Sequence, residues 1–105
     1  MKLNSFNNSI IDKALDMLIK RVNSASGLSH PNDRDAAIDI FRVLKKNNYK
    51  IDPEYVKIFA FRNKCPAEFA NNLYEIAKKI QEGKIVKKHS TEFSWNENII
   101  QQLEK

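Results

Sequence analysis

The sequence has few of the residues that interrupt or cross-link a chain: one cysteine, two glycines and three prolines among 105 residues. A single cysteine excludes an internal disulfide and gives no indication of an oxidising compartment. No apolar run approaches the roughly 20 residues that span a bilayer, and Met1 to Asn8 lacks the apolar stretch of a secretory signal. We therefore expect a cytoplasmic protein without a membrane partner.

The length is that of one domain, so we predict a single helical domain over residues 1–105. Within it, residues 1–8 form a loose N-terminal segment, residues 23–31 a loop and residues 84–90 a basic connector. Glycine and proline are scarce and period-two alternation is absent, which leaves few candidate strands. Apolar residues instead recur at helical spacing, as in Ala14, Leu15, Leu18 and Val22.

This pattern predicts an all-α fold, a single compact domain of about five helices with room for extra short helical turns. The starts are predicted at a capping box of Ser9 and Asp12, near Asn32 or Asp33, at Asp52-Pro53, at Cys65-Pro66, and at a capping box of Ser94 and Glu97. Asn47-Asn48 and Gly83 are predicted stops, because both can take left-handed backbone. The third helix is apolar on nearly its whole circumference, which is typical of a central or an interacting helix.

The net charge of +5 is concentrated in the middle of the sequence. Residues 42–64 contain seven basic and two acidic residues, whereas the segments on either side are neutral. Lysines among aromatic residues can bind phosphates and stack bases, so a weak nucleic-acid-binding surface is one interpretation of this segment. Ordinary helix periodicity, with cations in a last helical turn, is the simpler one. The candidate basic residues are Lys45, Lys46, Lys50, Lys57, Arg62 and Lys64.

Catalytic chemistry finds no support in the residue pattern. His30 and His89 stand in separate polar segments, without a carboxylate or thiol at a spacing that indicates a metal site or a nucleophile and base. Cys65 at a predicted helix start is either a reactive thiol or a small residue serving a cap. No glycine-rich phosphate loop is present. We therefore predict no enzyme, no catalytic residue, no metal and no cofactor.

Three stretches carry a family resemblance: IIDKALDMLI near the start, DIFRVLKK in the second helix, and IAKKIQEGKIVKK followed by TEFS around Gly83. In order and spacing they resemble the YoaC-like family of small, all-helical enterobacterial proteins of unknown function. The resemblance covers most of the chain. It implies the helical fold and supplies no active site.

Binding to another protein is the leading functional hypothesis. The chain is rich in asparagine, lysine and isoleucine, which AT-rich codons encode, and such a composition is typical of genes in accessory cassettes. Small helical proteins without catalytic residues that are encoded in these cassettes often neutralise toxins. We therefore predict an immunity protein similar to the CdiI proteins of contact-dependent growth inhibition, which covers the cleft of a cognate toxin domain. A nuclease toxin would present a cationic cleft to acidic residues. The predicted contact residues are Asp12, Asp16, Asp33, Asp35, Asp39 and Ile38, and Ile38 is included because it lies off the apolar stripe of the second predicted helix.

Two alternatives stay open at this point. One is an uncharacterised YoaC-like cytoplasmic adaptor or regulatory protein, and the other is the nucleic-acid-binding module described above. The overall positive charge disfavours a cationic target, unless the basic segment faces away from it or the target itself is acidic.

Overall fold

The computed structural model describes residues 8–90, 95 and 98–104. These residues form five α-helices and a short 3-10 turn, and no β-strand occurs among them. The elements in chain order are α1 (Asn8–Arg21), the 3-10 turn (Ser24–Ser26), α2 (Pro31–Lys46), α3 (Pro53–Arg62), α4 (Ala67–Gln81) and α5 (Ile99–Leu103). The predicted all-α class with about five helices is confirmed.

Several helix ends lie where local chemistry predicted them. The Asp52 carboxylate accepts a hydrogen bond from the Glu54 backbone N–H at 3.0 Å, and Pro53 is the first residue of α3. A proline fits there because the first turn of a helix has no intrahelical acceptor for its N–H. Beyond α2 and α4, Asn48 and Gly83 adopt left-handed backbone with φ of 68° and 83°. Both predicted stops are confirmed.

Other starts differ from the prediction. Helix α2 begins at Pro31 rather than near Asn32, and the His30 ring accepts from the Asn32 backbone N–H at 3.3 Å. Proline starts this helix because its fixed φ is already helical. Ser9 lies inside α1, and Pro66, not Cys65, holds the capping position of α4 without a side-chain cap.

The three predicted non-helical segments can be compared with the described elements. Of the predicted loose segment 1–8, only Asn8 is described, and it begins α1. The predicted capping box of Ser94 and Glu97 lies outside the described residues. The predicted loop over 23–31 contains the 3-10 turn, and the connector over 84–90 has neither helix nor strand.

The core is built around α4, which contacts both α2 and α3, while α1 contacts α2, α3 and α5. Its largest fully buried hydrophobic side chains are Phe41, Phe69, Leu15, Leu18, Ile38, Ile40, Leu44, Ile51, Leu73 and Val56. The Cα radius of gyration is 12.7 Å, close to the roughly 13 Å of a compact 100-residue domain. None of the described helices is long and apolar enough to cross a membrane.

Two tyrosines connect elements that are far apart in the sequence. The Tyr55 hydroxyl of α3 donates to the Asp12 carboxylate of α1, and the Tyr49 hydroxyl donates to Glu104 beyond α5. In each case the hydrogen bond to the carboxylate, followed by burial, raises the pKa of the tyrosine above its ordinary value of 10.0. The neutral phenol is therefore the form that stabilises the fold.

We expect Tyr55→Phe to lower the free energy of unfolding by about 1–2 kcal/mol at neutral pH, since it removes a hydrogen bond to a charged group. A folded-state pKa raised above the unfolded value stabilises the fold at pH below about 10 and ceases to do so as pH rises through the folded value. The difference between wild type and variant should therefore shrink above pH 10. Urea unfolding at neutral and alkaline pH measures it.

The matched control is Tyr74→Phe, because the Tyr74 hydroxyl makes no hydrogen bond to a described residue. It should change stability by under about 0.5 kcal/mol. A Tyr55→Phe variant as stable as this control at neutral pH would contradict the assigned link between α1 and α3.

Candidate functional site

The five aspartates predicted as a contact surface are engaged within the protein. On α1, Asp12 accepts from Tyr55, and the Asp16 carboxylate lies 2.9 Å from the Lys20 ammonium one turn further on. At the start of α2, the Asp33 carboxylate accepts from the backbone N–H of Asn23 at 3.2 Å. The described residues therefore do not present these groups as one open acidic face.

Asp35 and Asp39, one turn apart on α2, hold the connector in place. The two Asp35 carboxylate oxygens accept from the backbone N–H groups of His89, at 2.6 Å, and Ser90, at 2.8 Å. The Asp39 carboxylate lies 3.3 Å from the Lys88 ammonium, and both of these side chains are largely buried. We call Asp35 and Asp39 the acidic pair.

Trp95 is attached to the same helix. Its backbone N–H donates to Asp39 at 2.8 Å, and its indole N–H donates to the Ala36 carbonyl at 2.9 Å. The ring is half-buried against the core, so Trp95 is a packing residue rather than an exposed anchor. Together with the acidic pair, these bonds fix residues 88–90 and Trp95 onto α2.

Two of the predicted contact residues are buried in the structure. Ile38 has no exposed surface and Asp35 is 1% exposed, so neither can touch a partner, and their prediction as contacts is wrong. Ile38 lies off the predicted stripe, yet α2 contacts both α1 and α4, which widens its buried face beyond one stripe. Asp35 is covered because its carboxylate binds the connector backbone.

A cleft of about 1060 Å³ lies between the C-terminal half of α2, the end of α4 and the connector. We call it the basic cleft. Its lining residues are Asp39, Arg42, Val43, Lys45, Lys46, Ile80, Gly83, Lys84, Ile85, Val86, Lys87 and Lys88. Six of them are cationic and only Asp39 is acidic, so the cleft attracts negative charge.

The cations of the basic cleft fall into two groups. Lys45 donates to the carbonyls of Ile80 at 2.9 Å and Gln81 at 3.3 Å, which places a positive charge at the negative end of the α4 dipole. Lys88 is paired with Asp39, and the exposed Lys84 lies 3.1 Å from Glu82.

The second group consists of Arg42, Lys46 and Lys87. They are exposed and make no ion pair with any described residue. These three are the cations most available to a ligand, because no internal carboxylate competes for them.

The remaining candidate basic residues do not line this cleft. Lys57 on α3 lies 3.6 Å from Glu54 and 4.9 Å from the centre of the Tyr74 ring. Arg62 ends α3, and Lys64 follows it in left-handed backbone. Lys50 is exposed in the loop before α3. The predicted basic segment thus contributes only Lys45 and Lys46 to the cleft, together with Arg42.

Sequence reasoning missed the connector residues Lys84, Ile85 and Lys87 as part of a site. Ile85 is 88% exposed, whereas Ile58 and Phe61 on α3 are 45% and 48% exposed. The available signal was the short basic run after Gly83, which segment-by-segment charge counting hid because the glutamates elsewhere in residues 65–105 balance its charge.

His30 and Cys65, two residues with reactive side chains, contribute to the fold. The His30 ring caps α2, and burial raises the pKa of the Cys65 thiol, which disfavours the nucleophilic thiolate. Among the residues that the structure describes, no group of three or more histidine, cysteine, aspartate or glutamate side chains is arranged to hold a metal ion.

The fold and the cleft define a small all-helical protein with a basic, partly aliphatic cleft. The chain belongs to the family described as Domain of unknown function (DUF1889), whose model matches residues 7–104. A crystal structure of a protein from Salmonella typhimurium is similar, with a TM-score of 0.78 and 23% identity over 90% of this chain and 93% of that one. No curated protein sequence matches. Membership of a family of unknown function is thus confirmed, and the similar structure supports the all-helical fold.

Proposed function

We propose that the chain is a non-catalytic binding protein whose partner is another protein, and that an acidic region of this partner occupies the basic cleft. One observation carries the proposal: unpaired cations and an 88% exposed isoleucine line the same concave surface. Cations attract carboxylates, and covering an exposed aliphatic side chain with a partner stabilises the complex, because apolar surface is removed from water.

The chemistry of the lining favours a protein over a nucleic acid. Proteins that bind single-stranded nucleic acids combine cations with aromatic rings on which bases stack. The basic cleft has aliphatic Val43, Ile80, Ile85 and Val86 instead, and no aromatic residue is among the described residues that line it. Aliphatic side chains next to cations suit a peptide that carries both carboxylates and apolar residues.

The absence of catalysis is also part of this proposal. The lysines nearest the core of the cleft are committed to structure, since Lys45 caps α4 and Lys88 pairs with Asp39. The remaining cations of the cleft are exposed, and its one described carboxylate, Asp39, is paired with Lys88. Such a surface binds and orients charge without an evident acid, base or nucleophile.

We keep toxin neutralisation as the proposed biological role, on the compositional grounds given above. The contact surface is revised, because the acidic pair is occupied by the connector and cannot meet a cationic nuclease cleft. The target surface is instead an acidic region beside or within the toxin's active site. Covering it requires a standard interface of roughly 800 Å² per partner, of which the basic cleft is the centre.

The test is co-purification of the chain with the product of the adjacent gene, followed by measured affinity. Lys46→Glu combined with Lys87→Glu should weaken this binding by about 10- to 30-fold, because like charges repel at the contact. The matched control is Arg62→Glu with Lys64→Glu, which changes net charge equally on exposed residues outside the cleft. This control should stay within about twofold of wild type.

Two results would overturn the proposal. Equal loss in both double variants would show that overall charge, not the basic cleft, drives association. Retention of a generic RNA with a steep salt slope, lost on reversal of Lys46 and Lys87, together with no protein partner, would assign the cleft to nucleic acid instead.

A further inference from the structure

The connector has the accessibility pattern of a β-strand that lacks a neighbour. Ile85 is 88% exposed and Val86 is 9% exposed, Lys87 is exposed, and the Lys88 side chain is 12% exposed. Alternation with a period of two is the mark of extended backbone, in which successive side chains point to opposite sides. Val86 and Lys88 thus face the protein, and Ile85 and Lys87 face outward.

The backbone of residues 85–87 has no hydrogen-bond partner among the described residues. Ile85, Val86 and Lys87 make no hydrogen bond, through backbone or side chain, to any residue that the structure describes. Backbone N–H and C=O groups are strong donors and acceptors, and an open edge of this kind is a template for an added strand.

The edge is also held firmly at both ends. On one side, Gly83 and Lys84 donate to the Ile80 and Lys79 carbonyls that end α4. On the other, the acidic pair binds the side chain of Lys88 and the backbone of the next two residues. A preorganised edge loses little conformational entropy on binding.

We propose that the cleft binds an extended, acidic segment of the partner, which pairs with the backbone of residues 85–87 as an added strand. The inference rests on the proposed function and specifies its ligand. Main-chain hydrogen bonds supply affinity in this mode, and pockets for alternate side chains supply specificity. On the outward face, the aliphatic residues of the segment cover Ile85, and on the opposite face its carboxylates meet Arg42 and Lys46 across the cleft.

The probe is a short acetylated peptide of alternating glutamate and valine, titrated into the full chain. We expect binding that slows hydrogen exchange, measured by NMR, at alternate amides of residues 85–87, the ones whose N–H groups face the added strand. Peptide methylated at alternate backbone nitrogens should bind about tenfold more weakly, because it cannot complete the ladder. A lysine and valine peptide should not bind.

Chain variants provide the second arm. Ile85→Ala should weaken peptide binding severalfold without loss of fold, since the side chain is exposed. The double reversal of Lys46 and Lys87 should weaken it by about tenfold or more, and the Arg62 and Lys64 control should not.

The outcomes separate the two proposals. Peptide binding that tolerates backbone methylation and leaves the amides of residues 85–87 unprotected would overturn strand pairing and leave the proposed function standing. So would failure of every peptide while the cleft variant still loses its protein partner. Binding of RNA alone, dependent on Lys46 and Lys87, would overturn both.

Discussion

Replacing Leu73 with alanine is expected to lower the free energy of unfolding by about 3–5 kcal/mol, the largest effect we expect from a single substitution. Leu73 has no exposed surface and lies in the middle of α4, the helix that packs against both α2 and α3. The truncation removes buried apolar area and leaves a cavity that two helices must close. Urea unfolding followed by far-UV circular dichroism measures the change.

For a small domain this loss is a large part of the total stability of roughly 5–15 kcal/mol. Leu15→Ala on α1, equally buried, should cost about 2–5 kcal/mol. Ile85→Ala is the control, because an 88% exposed side chain contributes under about 0.5 kcal/mol. A cost below about 1 kcal/mol for Leu73→Ala would contradict the placement of α4 at the centre of the core.

Asp35→Ala is expected to cost about 2–3 kcal/mol, although the residue is charged and outside the hydrophobic cluster. The substitution removes two short hydrogen bonds from the backbone of His89 and Ser90 to a carboxylate that is 1% exposed. Hydrogen bonds to charged groups contribute about 1.5–3 kcal/mol, and water reaching the freed amides offsets part of the loss. Unfolding by urea gives the magnitude.

The same variant should also loosen the connector locally. Hydrogen exchange at His89 and Ser90 should accelerate more than exchange within α4. Asp16→Ala is the matched control, since its carboxylate is half exposed and its pair with Lys20 is worth under about 0.5 kcal/mol. Equal stability of the two aspartate variants would refute the structural role of Asp35.

The elements that the sequence predicted well are those with local causes. Asp52 and Pro53 begin α3 because the cap and the proline act within one helical turn, and Gly83 ends α4 because it tolerates left-handed backbone. The apolar stripe of α1 correctly predicted that Leu15 is buried. These features depend on neighbours a few residues apart, which the sequence displays directly.

The candidate site was not predictable in the same way, because it is assembled from distant segments. Charge was counted along the chain, and the connector lysines were cancelled by glutamates that do not line the basic cleft. In the sequence the aspartates of α2 look like one acidic surface, because nothing in it shows that the connector packs against them. Hydrogen bonds across about 50 residues turn Asp35 into an internal acceptor.

By itself the sequence determined the helical class, the core face of α1 and three of the helix ends, because periodicity and capping are short-range effects. Only the tertiary structure decided that Ile38 and Asp35 are buried, that Lys45 caps α4, and that Ile85 stands exposed beside unpaired cations. Packing sets these outcomes, since burial and charge depend on which segments meet in space.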